Sequence, residues 1–200
     1  MLVSNGGIEQ RAIMRFPRRS DSVGVRDTLR AYAIDSVGLA FTVVARDTNL
    51  SGDQLEVYRL PTTIDSTTTS VQTDSAFLPQ NLVVTIPIPD SVKTGVVRTL
   101  LQGPDLAKVA IAPADSGVLA LGVRLIAPLA TGVRLGALGS TAPAFVTYAT
   151  LDVPDTGTAK LRSFPLSPSF STFLPPIQQP DDSNLLNVGG EPSARVLMRF

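Results

Sequence analysis

In Arg11-Ala12-Ile13-Met14-Arg15-Phe16, Ala12, Met14 and Phe16 fall on one side of an extended chain and Arg11, Ile13 and Arg15 on the other. That period of two marks a β-strand. Pro17 then removes a backbone donor and closes it. The pattern recurs along the chain. Residues 38 to 46 place Leu39, Phe41, Val43 and Ala45 on one inward face, and residues 81 to 89 do the same with Leu82, Val84, Ile86 and Ile88. Further strands are expected over residues 27 to 33, 54 to 60, 117 to 126, 132 to 138 and 143 to 151, separated by Gly, Pro, Asp and Ser. The turn Asp47-Thr48-Asn49-Leu50-Ser51-Gly52-Asp53 is expected to join two strands as a hairpin. Residues 61 to 80, rich in Thr, Ser and Asp, carry no apolar period and are expected to be a long functional or poorly ordered loop. One short helix is expected over residues 90 to 102, with Asp90 or Ser91 as cap, Val92, Val96 and Leu100 at helical spacing, and Gly103-Pro104 as the stop.

Composition supports an all-β chain. Asp outnumbers Glu fourteen to three and Arg outnumbers Lys fourteen to three, so the usual residues of exposed helix faces are scarce. The fold class expected is an all-β, antiparallel two-sheet sandwich of jelly-roll-like form. With no His and no Cys among 200 residues, zinc fingers, cysteine nucleophiles and His-based triads are excluded. Seventeen basic residues balance seventeen acidic ones, so no net field favours nucleic acid. The most apolar stretch, residues 118 to 138, contains Arg124 and Arg134 and is not a membrane span. No signal peptide opens the sequence, so an exported protein would have this chain as a processed form or a fragment.

The start and end of the chain repeat one another. Gly6-Gly7 precedes Arg11-Ala12-Ile13-Met14-Arg15-Phe16, and Gly189-Gly190 precedes Arg195-Val196-Leu197-Met198-Arg199-Phe200. Four of the six strand positions are identical, and the other two keep apolar character. The organisation expected is a sandwich module over residues 1 to 152, a Pro/Ser/Phe-rich linker or extended segment over 153 to 180, and, over 181 to 200, the first strand of a second module or a strand completing a neighbouring sheet. The segment Arg195, Val196, Leu197, Met198, Arg199, Phe200 is thus the candidate assembly strand, its partners being other subunits or modules through strand pairing.

These features together resemble the DNRLRE-type β-sandwich modules. The resemblance rests on the Gly-Gly lead, the Arg-x-apolar-Met-Arg-Phe strand, Leu55-Glu56-Val57-Tyr58-Arg59-Leu60, the segment from Ile88-Pro89-Asp90 to Gly103-Pro104, Asp115-Ser116-Gly117-Val118-Leu119-Ala120-Leu121, and Ala144-Phe145-Val146-Thr147-Tyr148. It implies an exported, multi-domain surface or periplasmic protein, and for some such modules carbohydrate binding. The chain differs in having no Trp, a residue that the family's helix often carries.

Candidate sites follow from residue chemistry. Asp47, Asn49, Ser51 and Asp53 match the first half of a calcium loop, but the twelfth position is Tyr58 where a bidentate Glu belongs. A hairpin turn explains the same residues, and calcium is the one cofactor the chain suggests. Asp181-Asp182-Ser183-Asn184 forms a second acidic cluster. For a polysaccharide, aromatic stacking and adjacent hydroxyl or carboxylate groups point to Tyr32, Tyr58, Thr67 and Asp74. With Glu9, Glu56 and Glu191 as the only glutamates and no His to serve Ser or Thr, catalysis is not expected. The function expected is a non-catalytic structural or adhesive module, with polysaccharide recognition as the alternative.

Overall fold

The computed structural model describes residues 1–5, 9–18, 22–25, 28–47, 51–110, 117–151 and 160–174. Among them thirteen strands follow in chain order: β1 (Leu2–Asn5), β2 (Arg11–Phe16), β3 (Ser22–Val25), β4 (Thr28–Ala31), β5 (Ala33–Arg46), β6 (Gln54–Leu60), β7 (Leu82–Pro87), β8 (Gly95–Gln102), β9 (Leu119–Ile126), β10 (Thr131–Leu135), β11 (Ala144–Leu151), β12 (Lys160–Leu166) and β13 (Phe170–Leu174). The first sheet is organised around β5, whose 14 residues serve three partners. β11 and β10 pair in tandem along one of its edges and β8 along the other. β1 extends this sheet beyond β10, and β12 beyond β11. The second sheet runs β13, β2, β9, β6, β7. β3 and β4 pair only with each other, and all the pairings are antiparallel.

Between the two sheets lies the main core. Leu39, Phe41 and Val43 of β5 share it with Met14 and Phe16 of β2 and Leu121 and Val123 of β9. Phe16 and Phe145 close the gap ring to ring, with centroids 5.5 Å apart. Burying each such side chain contributes about 1.5–3 kcal/mol, and the edge-to-face preference of aromatic rings adds direction.

Several expectations change. Residues 95 to 102 are a strand, not a helix: Val97, Thr99 and Leu101 lie opposite Phe41, Leu39 and Val37 of β5. The Val96 and Leu100 spacing misleads because four residues return to one face in a strand as well as in a helix. The short helix is instead Ser70–Thr73, where Gln72 Oε1 accepts the Thr69 N–H at 2.8 Å. β5 and β6 are not a hairpin, since β5 belongs to the first sheet and β6 to the second. The chain arches between layers at this turn. Residues 160 to 174, expected as linker or extended segment, contribute β12 to one sheet and β13 to the other.

The stretch from 61 to 80 is neither loose nor open. It lies over the outer face of the second sheet and builds a smaller core there from Ile64, Ala76 and Phe77 with Ile13, Tyr58 and Ala120. Gly122 makes room for it: a Cβ at that position would come within 2.5 Å of Phe77 Cζ. Arg11 and Arg15, flanking Ile13 on β2, hold the cover at two points. Arg11 pairs with Asp74 at 2.8 Å and lies 4.7 Å above the Phe77 ring, while Arg15 Nη1 donates to the Ile64 carbonyl at 3.4 Å. Phe77→Ala is expected to cost about 3–5 kcal/mol by emptying this second core. Chemical denaturation would read it, and a loss near that of an exposed-site control would disprove the packing role.

Candidate functional site

At the turn after β5 a bulge decides which side chains point inward. β10 residues Arg134 and Leu135, neighbours in sequence, face Ala45 and Val43, so one residue of β5 is left over. The alternation therefore slips. Ala45, expected inside, is exposed, and Arg46 turns inward with its side chain 2% exposed. Arg46 Nη2 meets Asp53 Oδ2 at 3.1 Å, and the Asp53 side chain is fully buried. Arg46 Nη1 donates to the carbonyls of Pro89 at 2.9 Å and Val92 at 3.3 Å, and the Asp53 carbonyl accepts the Ile88 N–H at 2.8 Å. Together the pair fixes the passage of the chain from β7 to β8.

Of the candidate calcium ligands, the described Asp47 and Asp53 are engaged separately. Asp47 Oδ2 accepts from Thr131 Oγ1 at 3.2 Å and from the Gly132 N–H at 3.3 Å, Ser51 is exposed, Asp53 faces Arg46, and Asn49 lies outside the described residues. No group of three or more potential metal ligands occurs among the described residues. Arg46 supplies the positive charge beside Asp53. Arg46→Ala leaves the Asp53 carboxylate buried without its counter-charge, an expected loss of about 3–5 kcal/mol, whereas Arg46→Met with Asp53→Leu should recover most of it. Equal stability of the single and double variants in urea titrations would refute this. Arg46 was missed in the sequence because only the bulge turns it inward.

The residues suggested for sugar binding are also dispersed. Tyr58 is 4% exposed, tilted against Phe77 with centroids 5.2 Å apart, and its hydroxyl donates to Glu56 Oε2 at 2.5 Å. A ring covered on its face cannot act as a surface stacking platform. Asp74 is bound to Arg11, and Thr67 donates from both its N–H and Oγ1 to Asp65 Oδ1. Tyr32 sits elsewhere, stacked on Phe164 of β12 at 5.0 Å. Of the two described glutamates, Glu9 bridges Arg11 and Arg124 at 2.7 and 3.1 Å, and Glu56 holds Tyr58. This polar cluster ties β2, β6 and β9 together at the rim of the cover.

Burial pushes the Tyr58 phenol up to about 12, with Glu56 adding to the effect and Arg124 opposing it. The folded state thus holds the protonated phenol more tightly than an unfolded chain does. Its contribution to stability is complete below about pH 10 and is lost as pH rises from there through about 12. Tyr58→Phe is expected to remove a phenol ionisation near pH 12 from an ultraviolet titration and to flatten the alkaline fall in stability. A Tyr58→Phe titration that matches the wild type near pH 12 would contradict it.

A shallow apolar cavity of about 240 Å³ lies against the start of β5, lined by Ile34, Val37, Leu106 and Val109, with no charged side chain in its wall. The candidate assembly strand, residues 195 to 200, and the acidic cluster at 181 to 184 lie outside the described residues. Their sequence copy, β2, is described in full. It is hydrogen-bonded on both edges, by β13 and β9, and its Ala12, Ile13 and Met14 are all fully buried, so both of its faces are covered. Among the described residues, no helix is long and apolar enough to cross a membrane. No family model, curated protein or solved structure matches the chain.

Proposed function

We propose that this chain is a non-catalytic structural or adhesive β-sandwich module of an exported surface or periplasmic assembly, joined to neighbouring copies or modules by strand pairing. The observation that carries the reading is the environment of β2. A strand of sequence Arg-x-apolar-Met-Arg-Phe is here enclosed on both faces and both edges. The matching segment from Arg195 to Phe200 has the same apolar and charged pattern, and therefore the same need for two-sided cover. A neighbouring subunit or module is the partner that supplies it, in keeping with the resemblance to DNRLRE-type modules of multi-domain surface proteins. The alternative, polysaccharide recognition, is less well supported, because Tyr58 is covered and Tyr32 is separated from the Thr67 and Asp74 region. Deleting residues 186 to 200 is expected to convert the assembly to smaller species in sedimentation velocity. An unchanged oligomeric state, with unchanged thermal stability, would overturn the assignment of that segment.

A further inference from the structure

Sheet edges are where one chain can pair with another, and the edges of this sandwich are unequally protected. In the second sheet, β7 has Pro87 at its end, and Lys108 Nζ donates to the Val83 carbonyl at 3.3 Å. β13, at the opposite edge, is only five residues long. In the first sheet, β1 has four residues, and β12 contains Pro165, which has no N–H to offer. β8 differs from all of them. It has eight residues and no proline, and among the described strands it pairs only with β5. Its single charge is Arg98, and its outward side chains Val96 and Leu100 are 47% and 51% exposed.

We propose that β8 is the edge by which two copies of this chain pair, antiparallel across a two-fold axis, joining their first sheets into one continuous sheet. This rests on the reading that the protein assembles through strand pairing, and it names the edge, the partner and the register. A second copy suits the edge because a two-fold pairing satisfies both open strands in one closed contact. Charge then selects the alignment. Centring the axis on Arg98 would set two guanidinium groups directly opposite each other, which is destabilising. Centring it on Thr99 pairs residues 96 with 102, 97 with 101 and 98 with 100. The arginines move to a diagonal, each Arg98 stem lies beside a Leu100, and Val97 meets Leu101 on the core side. The segment Arg195–Phe200 is the poorer occupant. Pairing this segment over its full length with β8 so that Val196, Met198 and Phe200 stay on the core side sets an arginine directly opposite Arg98 or one on each diagonal, whereas self-pairing leaves one diagonal arginine.

The chain has no cysteine, so a single introduced thiol reports on this geometry without background. In the full chain, Thr99→Cys is expected to give a disulfide-linked dimer under mild oxidation, because residue 99 faces its own copy. Val96→Cys, which would face residue 102, should link far less. Leu100→Lys, at a half-exposed site opposite Arg98, is expected to weaken dimerisation on the order of ten-fold in sedimentation equilibrium. Circular dichroism and thermal melting check that each variant remains folded. If assembly persists in Leu100→Lys while Thr99→Cys remains unlinked, the β8 interface is wrong and the broader strand-pairing function stands. If the unmodified chain is monomeric at every concentration, both fall. Dimers that link equally through positions 96 and 99 would overturn the register.

Discussion

A β-sheet with apolar centres on both faces must be covered on both, and that constraint shapes this molecule. In the second sheet Leu119, Ala120, Leu121 and Val123 of β9 are all buried, as are the consecutive Ala12, Ile13 and Met14 of β2. The first sheet covers one face. The other needs a separate lid, which explains why adjacent antiparallel strands β6 and β7, which a tight turn could join, are separated by some twenty residues. Small residues at the centre of that face leave a hollow, with Gly122 admitting the Phe77 ring directly against the backbone. The arginines on either side of Ile13 then bind the lid by charge, by a backbone carbonyl and by Arg11 against the Phe77 ring, while Arg15 also lies over Phe170 of β13.

At the other critical place the driving feature is a single extra residue. The bulge in β5 reverses which side chains point inward, and so brings a guanidinium into the interior beside a buried carboxylate. An isolated charge there would be prohibitive, but Arg46 is shared between Asp53 and the carbonyls of the β7 to β8 passage. A loop that wraps a calcium ion would meet the same need for positive charge with a different cation. The consequence is a fixed starting point for β8.

The two sheets therefore end up with different exteriors. The second is closed by its lid, whereas β8 of the first leaves a long edge with half-exposed valine and leucine. Among the described residues Tyr32 stacks on Phe164, Glu9 is engaged by two arginines, and the cavity wall carries no charge. The distinctive features are strand edges in the fold and strand copies in the sequence.

Sequence alone determined the all-β class, most strand positions and their inward faces, because a period of two in side-chain polarity is a local property of an extended chain. It placed Ile13 on the arginine face of β2, but that this face is also buried emerged only in the fold. What depended on neighbours was decided only in three dimensions. Whether β5 and β6 pair or arch apart, whether Arg46 faces water or core, and whether residues 61 to 80 are loop or lid all depend on register and on contacts between residues distant in the chain. The β8 segment illustrates the boundary well. Its valines and leucines repeat at a spacing that suits helix and strand alike, and only the waiting edge of β5, with Val37, Leu39 and Phe41 facing the core, resolves the ambiguity in favour of the strand.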